Sequence, residues 1–174
     1  MVDDQIREKL SNLLSDLFSA VGQSVIEHDT DSVAKIVKSI ISEDAKKVLK
    51  MWDNNPTLVG TVKIEKPLPA TSDRSIIAVI VDGSPSLSDV YDLKSFAEVI
   101  TPDYAFLIST KKFEKDLHKY MKDQPHILKY LTKGTSFLSG TKPIIVMYID
   151  ESDRLVMDSE ISIGDPFDPI HMWS

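Results

Sequence analysis

The segment Ser75-Ile76-Ile77-Ala78-Val79-Ile80-Val81 runs through six consecutive apolar residues and stops at Asp82-Gly83-Ser84-Pro85. A half-exposed strand alternates apolar and polar residues, so an unbroken, largely β-branched run between turn formers describes a strand covered on both faces. Such a strand needs helices above and below it. The run therefore places the chain in the α/β class and makes the loop after Val81 the first place to look for chemistry.

Two further apolar runs fit the same sheet. Tyr104 to Ile108 is short, and Ile144-Ile145-Val146-Met147-Tyr148-Ile149 follows Pro143. Ile77, Val79, Ile145 and Met147 are expected to be buried in neighbouring central strands. Ser86-Leu87-Ser88-Asp89 has capping-box spacing and opens a helix carrying Val90, Tyr91, Leu93, Ala97 and Ile100. Ser109 or Thr110 is placed to cap another helix, with Phe113, Leu117, Tyr120 and Met121 on one side. Pro125 suits the first turn of a third, which Gly134 would end.

At the flanks, Leu58, Gly60, Val62 and Ile64 alternate with Val59, Thr61, Lys63 and Glu65, which reads as a strand over 58–65. Beyond the turn Asp150-Glu151-Ser152-Asp153, Leu155, Met157, Ile161 and Ile163 alternate with Arg154, Asp158, Glu160 and Ser162. That pattern predicts a half-exposed antiparallel partner with charged outer positions, suited to a sheet edge. Strands feeding helices build right-handed crossovers. The expected fold is thus a mixed, mostly parallel central sheet with flanking helices and a C-terminal antiparallel hairpin, preceded by an N-terminal α-helical region.

Residues 1–53 read as helical throughout. Ile6, Leu10, Leu13, Leu14, Leu17, Phe18 and Val21 recur at helical spacing, and Gly22 ends or bends this helix. His28-Asp29-Thr30-Asp31 offers a cap for a second one carrying Val33, Ile36, Val37, Ile40 and Ile41, and Ser42-Glu43-Asp44 caps another. The organisation read from the chain is a helical region over 1–53 that serves as a dimerisation element, an α/β core over 56–164, and a tail over 165–174 anchored by Phe167, Met172 and Trp173.

Composition narrows the chemistry. The chain has no cysteine, which excludes thiolate nucleophiles, thiolate metal sites and disulfides and fits a reducing cytoplasm. No apolar run approaches the ~20 residues of a membrane span. The net charge of −7 argues against nucleic acid, whose binding rests on phosphate neutralisation. Three Asn and three Gln lean toward a thermophilic composition, against which 19 Asp beside eight Glu runs the other way. Residues 111–133 carry seven Lys against Glu114, Asp116 and Asp123, whereas 150–168 carry seven acids against Arg154 alone. Opposed blocks of this kind suit a charged protein partner or self-association, and solvated faces are their simplest explanation.

Asp82 is the leading site candidate, because a carboxylate at the end of a central strand has the hard oxygen ligands Mg²⁺ prefers. Asp150 and Glu151 at the end of the other buried strand are its metal-binding partners in this reading, with Ser109, Thr110 or Lys111 between them. Asp-Gly-Ser-Pro is equally an ordinary turn in which Asp bonds its own backbone. Asp165, Asp168 and His171 are spaced by threes, but Pro166 and Pro169 preclude a helix there. His118 and His126 have no helical ligand partner and read as exposed imidazoles. Lys111, Lys115, Lys119 and Lys122 fall on one helix stripe that reads as a solvated face. No P-loop, dinucleotide-binding glycine fingerprint, serine elbow or zinc helix occurs, and no cofactor is implied.

The order of a helix-flanked parallel pair, a proline-led strand at Pro143 and a hairpin resembles the thioredoxin-like connectivity, without its redox cysteines or a final helix. The likeness is one of element order over part of the chain and does not amount to membership of the family. Three functional expectations follow. The first is a non-catalytic interaction or regulatory module. The alternatives are a divalent-metal-dependent enzyme acting on a phosphate compound through Asp82, and a redox-inactive thioredoxin-like binding module.

Overall fold

The buried run forms one of three parallel strands at the centre of a mixed sheet. The computed structural model describes residues 3–19, 22–27, 43–49, 56–64, 72–132, 140–164 and 167. In chain order these form α1 (Asp4–Ser19), β1 (Gly22–Glu27), α2 (Glu43–Leu49), β2 (Leu58–Ile64), β3 (Ser72–Val81) and α3 (Leu87–Ile100). There follow β4 (Tyr104–Ser109), α4 (Lys115–Asp123), a 3-10 turn (Pro125–Leu128), β5 (Lys129–Thr132), β6 (Gly140–Ile149) and β7 (Leu155–Met157). The sheet runs β1-β2-β3-β4-β6-β5, with β7 also on β6.

Strands β3, β4 and β6 are parallel and in register, with Val79 beside Leu107 and Leu107 beside Val146. The hairpin partners β2, β5 and β7 are antiparallel to their neighbours. Alternate residues of the central strands feed two cores. Ile77, Leu107 and Val146 face α3 and α4, and Ile76, Phe106, Ile145 and Met147 face α1. The absence of alternation in the sequence is thereby explained, since both faces are covered.

Each face is closed by residues the helical spacing supplies. Leu10, Leu14 and Phe18 of α1 are fully buried, and the Phe18 ring meets Phe106 at 5.9 Å and Phe167 at 4.9 Å. Leu93, Phe96, Ala97 and Ile100 of α3 are buried on the other face, with Met121 of α4. The capping box forms as the spacing requires. Ser86 Oγ accepts from the Asp89 amide, and the Asp89 carboxylate accepts from the Ser86 amide at 2.7 Å.

Several expectations are corrected. β4 separates β3 from β6, so Ile77 and Ile145 are not on adjacent strands, and Val79 is only partly buried. Gly22 begins a strand rather than ending a helix, because residues 22–27 pair antiparallel with β2 and extend the sheet. Residues 129–132 form β5 in place of a helix, with Tyr130 buried, Leu131 exposed and four pairs to β6. β7 stops at Met157, where the chain turns and buries Asp158, a position the alternation had placed outside. The expected second helix, with Ile36 and Ile40, lies outside the described residues, as do Asp165, Asp168, His171, Met172 and Trp173.

Candidate functional site

The carboxyl ends of β3, β4 and β6 lie at one edge of the sheet, as parallel register demands, and bring Asp82, Thr110 and Asp150 to that edge. The hydrogen-bond ladder continues past the strands. Thr110 N donates to Val81 O at 3.1 Å, and Lys111 N donates to Gly83 O at 3.2 Å. The Thr110 hydroxyl donates to Asp82 Oδ1 at 3.1 Å and accepts from Gly83 N at 2.7 Å. Gly83 has φ +113°, a conformation that strains any side chain, so the sharp exit from β3 requires glycine. Asp82 is exposed and joined to this turn.

Asp150 serves its own turn. One carboxylate oxygen accepts from the amides of Ser152 and Arg154, each at 2.9 Å, and the other accepts from the Arg154 guanidinium at 3.1 and 2.8 Å. The Arg154 amide and guanidinium hold the Asp150 carboxyl below the usual carboxylate range. Asp82 and Asp150 stand on strands separated by β4, roughly two strand spacings of ~4.8 Å apart. Glu151 is exposed at the hairpin tip. Among the described residues no group of three or more His, Asp or Glu side chains is placed to hold a metal ion.

Ser109 and Thr110 do not cap α4. The Ser109 hydroxyl is buried and donates to Lys111 O at 2.6 Å, and the helix begins at Lys115 after Glu114 without a side-chain cap. His126 is exposed.

A second cluster was not legible in the sequence. His118 of α4 places Nε2 at 3.1 Å from Oδ2 of the buried Asp158, correcting the reading of His118 as an exposed imidazole. Oδ1 of Asp158 accepts from the Glu160 amide at 3.2 Å. One helical turn after His118, Lys122 donates to the Glu160 carboxylate at 2.9 Å, and together with His118 and Lys112 it holds that carboxyl below the usual range. Lys112 lies 4.6 Å from the centre of the Tyr148 ring, and its ammonium is pushed up by Tyr148 and, more weakly, by Asp158 and Glu160. The two opposed charge blocks of the sequence thus meet within the chain. The only signal for this pairing was the charge segregation itself, since helix and segment are 40 residues apart.

No family model, characterised protein or solved structure matches this chain. No helix among the described residues is long and apolar enough to cross a membrane.

Proposed function

We infer that the protein is a non-catalytic interaction module that meets a protein partner through the outer face of the α3 and α4 layer. The observation that carries this reading is the exposure of Leu87, Tyr91 and Tyr120, at 36%, 47% and 47%, on the two helices covering one face of the sheet. Leu87 and Tyr91 stand one turn apart on the same flank of α3. Tyrosine suits such a role because it offers a large apolar body and a polar tip, and it is enriched where binding energy concentrates. Single exposed apolar residues are ordinary. Here three share a layer whose other exposed residues include a stripe of lysines.

The strand-end carboxylates support the same reading, since Asp82 accepts from the Thr110 hydroxyl of the neighbouring strand-end loop and Asp150 bonds to its own turn. The apolar stripe of α1 is spent within the chain, where Leu10, Leu14 and Phe18 pack on the sheet, which moves the interaction surface away from that helix. The test is a photo-crosslinking residue placed at Tyr91 or Tyr120 of the full chain in the cells that make it, with Asn12 on α1 as control. Discrete adducts from positions 91 and 120 and none from 12 are expected. No adduct from either tyrosine, or the same pattern from all three, overturns the reading.

A further inference from the structure

We propose that the lysine stripe of α4 is a carboxylate-receiving surface that docks an acidic segment of a partner polypeptide. This names the partner for the interaction module inferred above and rests on that reading. Lys115, Lys119 and Lys122 fall at positions i, i+4 and i+7, so all three lie on one flank of α4 over two turns. The stripe already receives carboxylates from its own chain. Glu160 sits on Lys122 at 2.9 Å, and Asp158 sits on the adjacent His118 at 3.1 Å.

The cis contacts occupy only the C-terminal part of the stripe. Lys115 and Lys119 are exposed and make no ion pair among the described residues, and neither does Lys111, which precedes the helix. Lys115 and Lys119 continue along the helix the line on which Lys122 stands. An extended acidic peptide laid along them would repeat the pairing that Glu160 shows. A carboxylate ligand is favoured over a nucleic-acid backbone for two reasons. The stripe contains no Arg to grip phosphate in bidentate fashion, and the chain as a whole carries a net charge of −7 that repels a polyanion of high charge density. A peptide with spaced carboxylates bears less charge per length than a duplex and can meet Lys115 and Lys119 together.

The test is fluorescence anisotropy of a labelled Glu-Gly-Ser repeat peptide, whose carboxylates are spaced by neutral residues, titrated with the full chain at low ionic strength, where exposed charges are least screened. Saturable binding that weakens with salt is expected. Lys115→Glu combined with Lys119→Glu should lower affinity by roughly tenfold or more, and Lys129→Glu on β5 should leave it unchanged. Circular dichroism confirms that each variant is folded, and the neutral pair Lys115→Gln and Lys119→Gln should give an intermediate loss if the reversed pair unfolds. Absence of saturable binding to the folded wild type overturns the proposal. So does equal binding by the folded lysine variants, or tighter binding of an oligothymidylate through the same lysines. Loss of peptide binding alongside persistent adducts from Tyr91 and Tyr120 overturns the acidic partner alone and leaves the interaction reading standing.

Discussion

Ser75 and Asp103 hold each other reciprocally where the parallel pairing of β3 with β4 begins. The Asp103 carboxylate accepts from the Ser75 amide at 2.9 Å and its hydroxyl at 3.1 Å, and the Asp103 amide donates back to the Ser75 carbonyl and hydroxyl, each at 3.0 Å. Lys142 of β6 reaches the same carboxylate at 3.2 Å, and Arg74 reaches it at 3.4 Å. One side chain thus fixes the register of all three parallel strands at the edge opposite Asp82.

Asp103 makes the fold acid-sensitive. Burial raises its carboxyl, but the Ser75 amide and the Lys142 ammonium outweigh burial and the net shift is downward from 3.8. A depressed carboxyl contributes stability that is present above its unfolded value and is lost as pH falls through the folded value. Asp103→Asn should therefore cost about 1.5–3 kcal/mol at neutral pH, the range for hydrogen bonds to a charged group. The difference from wild type should shrink below about pH 4. Urea midpoints measured across pH check both statements.

The two cores should respond alike to deletion. Ile77 is fully buried toward α3, and Ile145 is 3% exposed toward α1. Ile77→Ala and Ile145→Ala should each cost roughly 2–5 kcal/mol, with cavity and transfer terms both contributing. Denaturation midpoints that do not move would contradict the two-faced burial of the parallel strands.

Asp158 should order the segment that follows β7. Its side chain and carbonyl accept from the amides of Glu160, Ile161 and Ser162, and Ser162 in turn bonds the open edge of β6 at Val146. Asp158→Ala removes the bonds to Glu160 and His118 but keeps the carbonyl, so it should speed hydrogen exchange most at Glu160 and less at Ile161 and Ser162 while leaving β3 and β4 protected, because the change is a local opening. Equal acceleration through the central strands would show that the pair with His118 supports the whole fold.

The parallel centre and its helical cover were readable because burial on two faces leaves an unbroken apolar run, and Ser86 with Asp89 marks the helix start in four letters. The edges were not readable. Gly22-Gln23-Ser24-Val25-Ile26-Glu27 becomes a strand by pairing with β2, a nonlocal contact that the end of a helical pattern does not announce. Ser72, Asp73 and Arg74 extend β3 because they face Ile64, Lys63 and Val62 across the hairpin, despite their polarity. Lys129-Tyr130-Leu131-Thr132 is too short to show a period, and the lysine-rich composition around it favours a helix. His118 and Asp158 escaped for the same reason as β1. The chain brings them together through the sheet, and local spacing holds no trace of that.

If the strand-end carboxylates order loops and the protein works through its helical surface as proposed, Asp82 holds no divalent cation. Thermal melting of wild type and Asp82→Asn with and without excess Mg²⁺ or Mn²⁺ decides this. Binding to the native state raises stability by mass action, so a resident metal would be visible as a saturable shift. Superimposable curves with and without metal are expected in both proteins, with Asn tolerated because its amide oxygen still accepts from the Thr110 hydroxyl. A saturable rise in the wild-type melting temperature that disappears in Asp82→Asn would contradict this reading of Asp82.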